Sequence, residues 1–268
     1  MTKDVWNIIE KVRSKKPLVH AITNYVTVND CANILLSFGA SPAMCEAKDE
    51  VEDFVALADS LYINIGTLTG EQKEAIFLAV KKASKLNKPV VIDPVGVGAL
   101  VQRKEFILDL LKEFKISILK GNLGEIKTLA GMDARVKGVD SIDDGSDGID
   151  ACKILANKYN TVVAATGETD IITDGQRVAL IKNGNPMLTL VTGAGCMIGA
   201  LSAATAAVEK DFYKAAAASV LSMGLTGELA AEEMVGSPLP GSYKVKLFDS
   251  IYSLTEEKIL KRSKIIWE

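Results

Sequence analysis

Residues 61–93, LYINIGTLTGEQKEAIFLAVKKASKLNKPVVID, place two short apolar runs on either side of a longer segment with helical periodicity. Leu61–Ile65 and Pro89–Asp93 are rich in Val, Ile and Leu, as strands buried on both faces of a parallel sheet are. In Glu71–Leu86, apolar residues recur at the three- and four-residue spacing of an amphipathic helix. Because parallel strands need such a crossover connection, this stretch predicts a strand-helix-strand unit of an α/β fold.

The same alternation of strands and helices continues through the centre of the chain. Further strands are predicted at Ile116–Lys120 and Thr161–Ala165. Further helices are predicted at Gln102–Phe114, Asn122–Ala130 and Asp147–Tyr159. The pattern therefore predicts a three-layer α/β sandwich, in which a mostly parallel central sheet carries helices on both faces.

The final third of the chain has a different pattern. Short strands are predicted at Asp170–Thr173, Arg177–Ile181 and Pro186–Val191. The turn residues between them indicate antiparallel hairpins, so the sheet is expected to be mixed. Helices are predicted at Cys196–Glu209, at Phe212–Glu233 with an end signal at Gly236–Pro238, and at Lys246–Leu260. No low-complexity linker divides the chain, and residues 1–268 are expected to form a single domain.

Composition narrows the class of protein and its partners. The chain has 48% hydrophobic residues, 24% charged residues and a formal net charge of −3, which is typical of a globular protein and argues against nucleic acid as a partner. Its four cysteines have no Cys-x-x-Cys spacing, and the first residues lack the apolar core of a signal peptide. The longest apolar stretch, Met197–Val208, is shorter than the ~20 residues that cross a bilayer. We expect a cytoplasmic protein that does not enter membranes.

Two segments near the N-terminus, residues 17–26 and 39–44, mix polar and apolar side chains and are interpreted as loops. Val26 and Met44 within them are candidates to line a small heterocycle pocket, although most such residues belong to a core. His20 is the only histidine, which excludes sites with several histidine ligands and most hydrolase triads. Its commoner role is a hydrogen bond with a backbone carbonyl.

Thr192–Cys196, with the sequence TGAGC, follows a predicted strand and opens a long predicted helix. Its glycines allow the close backbone approach that an anion needs, and the amide groups of the helix start would face that anion. The loop therefore resembles a phosphate cradle. The alternative is a glycine-rich turn that packs a helix against a sheet, and this alternative has about even odds for one Gly-x-Gly.

Cys196 lies in the first turn of that helix. The helix dipole and the backbone donors are expected to lower the pKa of its thiol, which would suit a catalytic base. An isolated cysteine is more often a small, inert, buried side chain. The surrounding glycine loop favours the catalytic interpretation.

Polar residues end several of the predicted strands. Asp93, Lys120 and Thr166 lie at or just after three strand ends, where ligands bind in open α/β sheets. Asn122 and Glu125 have the spacing of a helix N-cap and its reciprocal partner, and a capping glutamate can still hold a metal-bound water. Two carboxylates, one cation and a glycine loop at one sheet edge are what phosphoryl transfer with Mg²⁺ requires.

An acidic stretch, Asp140–Asp150, raises the question of calcium binding. Counted from Asp140, the third position is Ile142 and the twelfth is Ala151, so the pattern of an EF-hand loop fails. We interpret the stretch as a solvated turn that leads into a helix N-cap.

Seven motifs, in this order, give the chain a resemblance to the hydroxyethylthiazole kinases, a family of the ribokinase-like superfamily. They are His20–Asn24, Gly39–Met44, Asn64–Leu68, Asp93–Gly96, Gly121–Asn122 with Glu125, Thr166–Glu168 and Thr192–Cys196. The resemblance covers nearly the whole chain. It implies ATP-dependent phosphorylation of the primary alcohol of 4-methyl-5-(2-hydroxyethyl)thiazole in thiamine salvage, by a homotrimer with active sites at its subunit interfaces.

The resemblance also implies a role for particular residues. Cys196 would be the catalytic residue near the substrate hydroxyl. Asp93 and Glu125 would serve Mg²⁺, while Lys120, Asn122, Thr166 and Gly195 would bind ATP. Asn24, Val26, Met44 and Gly193 would bind the hydroxyethylthiazole.

Two positions depart from the family pattern. Lys120 stands where arginine is usual, and a point charge does not replace a planar bidentate donor. Ala21 stands where asparagine is common. Two other functions remain open: a related hydroxymethylpyrimidine kinase, which would share the phosphate end alone, and a thiazole-binding regulatory trimer without turnover.

Overall fold

The computed structural model of the chain describes residues 1–132, 146–234 and 239–268. Nine strands are assigned within these residues: β1 Leu18–Ile22, β2 Ser41–Ala43, β3 Ser60–Asn64, β4 Val90–Asp93, β5 Ile118–Asn122, β6 Val162–Thr166, β7 Asp170–Thr173, β8 Val178–Ile181 and β9 Ile265–Trp267. The acidic residues 140–145 and the helix-end signal at 236–238 lie outside the described residues.

Helices alternate with these strands and then dominate the C-terminal part. In the described ranges they are α1 Thr2–Lys15, α2 Val28–Phe38, α3 Val51–Leu57, α4 Gly70–Lys85, α5 Val101–Glu113, α6 Leu123–Ala130, α7 Ser146–Tyr159, α8 Ala194–Val208, α9 Phe212–Glu232, α10 Pro240–Tyr252 and α11 Glu256–Arg262, with a 3₁₀ helix at Pro186–Leu190. Among the described helices, none combines the length and apolar character needed to cross a membrane.

The strands form one mixed sheet in the order β2-β1-β3-β4-β5-β6-β7-β8-β9. Pairing is parallel from β2 to β6 and antiparallel from β6 to β9. The predicted mostly parallel sheet with an antiparallel hairpin is therefore confirmed. All parallel strands end at the same edge of the sheet, which is where α/β proteins bind ligands.

Each face of the sheet buries its own apolar core, so the sandwich has three layers. On one face, side chains such as Tyr62 and Val91 pack with α1, α2, α8, α9 and α10. On the other, Ile63 and Ile92 pack with α3, α4, α5, α6 and α7. Neighbouring residues of a strand face opposite cores because side chains alternate across a pleated strand.

Two predicted elements of the C-terminal part are wrong. Pro186–Val191 is not a strand: Pro186 starts a 3₁₀ helix, which the Asn185 side chain caps by accepting from the Met187 amide. The predicted helix Lys246–Leu260 is two helices, because the Thr255 side chain caps a new helix start at the Lys258 amide. The glycine loop therefore follows a 3₁₀ helix instead of a strand.

The N-terminal segments interpreted as loops contain β1 and β2. β1 pairs with β2 on one side and β3 on the other, and this pairing buries His20 in the middle of the strand. Because the polar His20 interrupts the short apolar run of β1, hydrophobic periodicity does not predict this strand. The expected role of His20 is confirmed, since its Nε2 lies 2.6 Å from the carbonyl oxygen of Cys45.

Candidate active site

Four neighbouring strands end in polar residues that lie side by side. The register pairs Asn64 with Asp93, and it pairs Asn122 with Thr166. Parallel pairing thus brings the ends of β3, β4, β5 and β6 into one row. The row contains the predicted Asp93 and Thr166, together with Asn64 and Asn122. Lys120, which was predicted to end its strand, lies two residues before the end of β5.

Asp93 and Lys120 form a buried ion pair at the centre of the row. The Lys120 Nζ lies 3.3 Å from Asp93 Oδ2, and the two side chains are only 4% and 2% exposed. Burial raises the pKa of Asp93, an effect that Lys120 opposes and Glu125 reinforces. Burial also acts against the charge on Lys120, but Asp93 and the other acidic groups nearby raise its pKa overall. Lys120 therefore stays charged.

Two donors converge on one oxygen of Asp93, since Lys120 Nζ and Asn64 Nδ2 each lie 3.3 Å from Oδ2. The Tyr62 hydroxyl lies 3.4 Å from the same oxygen, but it donates its only proton to the Cys196 carbonyl oxygen at 2.9 Å. Among the described residues, none donates a hydrogen bond to Oδ1. The described residues therefore hold one oxygen of this carboxylate, and the residue as a whole is only 1% exposed.

Glu125 connects the start of α6 to the loop after β4. Its Oε2 accepts from the Asn122 amide and its Oε1 from the Gly96 amide, each at 2.9 Å. The Asn122 side chain accepts from the Glu125 amide in return, which completes the predicted capping box. This network fixes Glu125 near Asp93, but it also uses both carboxylate oxygens as acceptors of backbone amides.

These two carboxylates fit a magnesium ion that is shared with a nucleotide. The described residues include no cluster of three or more acidic, histidine or cysteine side chains that could hold a metal alone. Mg²⁺ in phosphoryl-transfer sites is commonly bound by one or two carboxylates, with phosphates and waters completing the shell. Asp93 Oδ1 and the remaining lone pairs of Glu125 are the ligands that this chain offers.

The glycine loop lies against the ion pair. A Cβ atom on Gly195 would come within 3.1 Å of Lys120 Nζ, so the loop backbone and the cation are neighbours. Gly193 caps α8 with φ of 88°, and a Cβ there would lie 2.5 Å from Thr27 Cγ2. The tight packing explains why glycine stands at position 193.

Gly193→Ala should destabilise the protein and slow turnover. The variant strains a left-handed residue, at a cost of about 1–2 kcal/mol, and forces Thr27 away from the loop. Gly131→Ala is the matched control, because Gly131 also has positive φ (79°) but a Cβ there would meet no atom within 4 Å. We expect urea unfolding to show a larger loss for Gly193→Ala, and activity to fall in that variant alone. Equal losses of stability and activity in the two variants would contradict the tight packing.

Cys196 is the third residue of α8, and its sulfur points toward β1 and β3. Asn24 Nδ2 donates to Cys196 Sγ at 3.5 Å, while the Cys196 carbonyl oxygen accepts from the Tyr62 hydroxyl at 2.9 Å. Burial and the nearby Asp93 raise the pKa of the thiol. The prediction that the helix dipole lowers the pKa of Cys196 is therefore wrong. Desolvation of the thiol and the negative charge of Asp93 raise this pKa by more than the dipole lowers it.

Among the cavities formed by the described residues, Met44 and Gly193 line different ones. Met44 lines a cavity of about 790 Å³ together with Thr23, Tyr25 and Thr67. Gly193 instead lines the cavity on the other side of the glycine loop. Asn24 is buried between them, and Val26 is 55% exposed on the surface of the chain.

The second cavity, of about 760 Å³, is the candidate nucleotide site. Thr166, Gly193 and Gly195 line it beside the glycine loop, and Asn183 lines it further away. Thr166 Oγ1 donates to the Gly121 carbonyl at 3.2 Å. Asn122 is exposed and does not line this cavity. Its amide oxygen caps α6, so the predicted contact of Asn122 with ATP has less support than that of Thr166.

Sequence reasoning missed three residues of this region. Tyr62 and Asn64 reach Asp93 from β3, although Asn64 belonged to one of the motifs. Asp170 lines the nucleotide cavity, and burial raises its pKa to about 7. Asp170 Oδ1 accepts from the Gly167 amide at 3.0 Å. A tyrosine inside an apolar strand looks like ordinary core, so no sequence signal marked Tyr62.

This fold and site define a small-molecule kinase of the ribokinase-like class, in which a glycine loop, a cation and two carboxylates meet at the carboxyl ends of parallel strands. Comparison with known proteins is more specific. The family model described as the hydroxyethylthiazole kinase family matches residues 9–257. The chain belongs to the hydroxyethylthiazole kinase family, as its motifs predict.

Individual relatives agree with this assignment. "Hydroxyethylthiazole kinase 1" of Clostridium botulinum strain Hall is 56% identical over 262 residues, covering 98% of each chain. The hydroxyethylthiazole kinase of Clostridium novyi strain NT is 54% identical over 267 residues, covering 100% of each. The solved structure of a hydroxyethylthiazole kinase protein from Pyrococcus horikoshii OT3 superposes on this chain with a TM-score of 0.91 at 38% identity, covering 99% of each chain.

A more distant structure shares the fold alone. The pyridoxal kinase from Staphylococcus aureus, solved with AMP-PCP and pyridoxal, has a TM-score of 0.58 at 16% identity and covers 80% of this chain and 88% of its own. The predicted three-layer α/β fold is confirmed by both structures.

Proposed function

We propose that this protein transfers the γ-phosphoryl group of ATP to the primary alcohol of 4-methyl-5-(2-hydroxyethyl)thiazole, as a step of thiamine salvage. One observation carries the proposal beyond family membership. The Lys120 ammonium pairs with Asp93 and lies next to Gly195 of the glycine loop, and Cys196 directly follows Gly195. A cation, a carboxylate, a cradle of amides and a proton acceptor therefore meet within one small region.

The nucleotide occupies the cavity that Thr166, Gly193 and Gly195 line. Its triphosphate lies along the glycine loop, where the amides at the start of α8 face its negative charge. Lys120 lies beside Gly195 and neutralises charge on the transferred group. Because Lys120 is buried, it makes this contact in a region of low dielectric, where charge compensation is strongest.

Asp93 and Glu125 are the residues that would hold the magnesium ion of MgATP. An ion bound there would supply positive charge that compensates the phosphate charge. Asp93 would offer Oδ1, because Oδ2 already accepts from Lys120 and Asn64. Glu125 acts through its fixed position at the start of α6.

The alcohol approaches Cys196 from the side of Asn24. Its oxygen forms the new bond to the γ-phosphorus as the bridge to ADP breaks, and its proton passes to the thiolate form of Cys196, since a protonated thiol cannot accept it. Burial raises the pKa of this thiol and so disfavours the thiolate. A loose transition state tolerates this, because the alcohol keeps most of its proton until late in the reaction.

We also infer a homotrimer whose active sites lie between subunits. Tyr25 and Val26 are 78% and 55% exposed, and they lie beside the cavity that holds Met44. Exposed apolar side chains next to a substrate pocket support a site that a neighbouring subunit completes. Analytical ultracentrifugation should find a trimer at assay concentrations, with activity lost on dissociation. A fully active monomer would refute this arrangement.

We also propose a single-domain organisation and a cytoplasmic location for this protein. Residues 1–268 form one kinase domain, which is supported by the single sheet that runs from β1 to β9. The protein acts in the cytoplasm, and its substrates are small molecules.

The deciding experiment measures ADP release in a coupled assay with MgATP and the thiazole alcohol. We expect turnover with this substrate and little with hydroxymethylpyrimidine. The reverse preference would favour the related pyrimidine kinase. Thiazole binding by calorimetry, without any ADP release, would favour a regulatory binding protein.

Lys120→Arg should lower the KM for ATP by roughly three- to tenfold. A guanidinium makes bidentate bonds to phosphate oxygens that an ammonium cannot make. Lys214→Arg is the control, since Lys214 pairs with Asp4 on α1, 2.8 Å away. An unchanged KM in Lys120→Arg would mean that this side chain does not meet the phosphates.

A further inference from the structure

Tyr62 occupies a position in β3 that is fully buried between the sheet and α8. Its ring packs directly on Gly199, where a Cβ atom would come within 2.5 Å of Tyr62 Cε2. A phenylalanine would supply the same apolar contact. The hydroxyl group is therefore the part of this side chain that needs an explanation, because burying it without partners is costly.

The hydroxyl connects three groups of the active site. It donates to the Cys196 carbonyl oxygen at 2.9 Å and accepts from Asn64 Nδ2 at 2.9 Å. It also lies 3.4 Å from Asp93 Oδ2. One buried group on β3 therefore contacts the end of β4 and the first turn of α8, which is 134 residues away in the chain.

We infer that Tyr62 is a positioning residue for phosphoryl transfer, which holds the Asp93 carboxylate and the Cys196 turn in one fixed arrangement. The inference rests on the proposed function. Asn64 Nδ2 connects the two parts of this arrangement, because it donates both to the Tyr62 hydroxyl and to Asp93 Oδ2. Tyr62 therefore holds the Cys196 turn directly and the Asp93 carboxylate through Asn64.

Tyr62→Phe tests the inference, because it removes the hydroxyl and keeps the ring. We expect kcat to fall by about tenfold, with the KM values for ATP and thiazole alcohol within about twofold of wild type, since misplacing reacting groups affects the transition state more than binding. Tyr243→Phe is the matched control. Tyr243 is also fully buried, and its hydroxyl donates to the Gly227 carbonyl at 3.0 Å.

A second measurement does not depend on turnover. The rate at which iodoacetamide alkylates Cys196 is followed by peptide mass spectrometry, with Cys45 as the internal reference. Loss of the anchor on the Cys196 carbonyl should raise the Cys196 rate at least threefold in Tyr62→Phe and leave it unchanged in Tyr243→Phe.

The two measurements separate failure of the inference from failure of the proposed function. A lower kcat with unchanged KM values and faster alkylation supports the positioning role. A kcat equal to that of Tyr243→Phe, or unchanged alkylation, overturns it. If wild type releases no ADP with the thiazole alcohol, the proposed function fails, and alkylation alone decides whether Tyr62 fixes the Cys196 turn.

Discussion

Cys196→Ala should lower kcat by roughly ten- to a thousandfold while the KM for the thiazole alcohol changes little. General-base catalysis typically contributes about a hundred- to ten-thousandfold, and a loose transition state lowers this because the alcohol keeps its proton until late. The alcohol's binding contacts come mainly from other residues. Because burial raises the pKa of the Cys196 thiol, the wild-type rate should rise with pH from neutral toward that pKa. Steady-state kinetics from pH 6 to 9 would measure both effects.

Two further variants make this test specific. Cys196→Asp should retain substantial activity, because a carboxylate can accept the same proton and suits the start of a helix. Cys152→Ala is the control, since Cys152 is also buried but packs in the opposite core, among α7 and its neighbours. If both Cys196 variants turn over like wild type, this side chain only packs, and the amides of the glycine loop carry the catalysis.

Asp93→Asn should lower activity, weaken the dependence on Mg²⁺ and destabilise the fold. The variant removes one metal ligand and leaves the buried Lys120 without its opposite charge, a change that costs about 3–5 kcal/mol when a buried pair is broken. Urea unfolding and a Mg²⁺ titration of turnover would measure the two effects separately.

The chain offers a matched surface pair for comparison. Lys112 and Asp109 lie 3.2 Å apart with 62% and 70% exposure, nearly the same distance as in the buried pair. Asp109→Asn should cost less than about 1 kcal/mol, because water screens an exposed pair. The double variant Asp93→Asn with Lys120→Met should recover stability and stay inactive. Unchanged turnover and Mg²⁺ titration in Asp93→Asn would rule out the metal role.

The strand ends illustrate how far sequence reasoning reaches. Asp93, Lys120 and Thr166 were predicted to meet because parallel strands end at one edge, and the register places them there. Asn122 and Glu125 were predicted as a capping box, and both of its hydrogen bonds form. These features depend on periodicity and on contacts a few residues apart, which a sequence displays directly.

Other features depend on contacts between distant segments and were not predicted correctly. β1 was missed because His20 interrupts its apolar run, and only pairing with two neighbouring strands shows it to be a central strand. The strand predicted at Pro186–Val191 failed because Asn185 and Pro186 favour a helical turn there. The residue roles assigned by resemblance remain predictions, and Val26 and Asn122 have the least support from their positions.

By itself, the sequence determined the order of strands and helices from β3 to β8, the polar residues near the ends of those strands and the cap of α6, because periodicity and capping are local. Tertiary structure alone decided the environment of the reacting groups. The direction of the shift in the pKa of Cys196 follows from burial and from Asp93, more than a hundred positions before it. The Tyr62 hydroxyl acquires its partners only when β3, β4 and α8 pack together. Desolvation and distances between charges arise from contacts between remote segments, which no local pattern records.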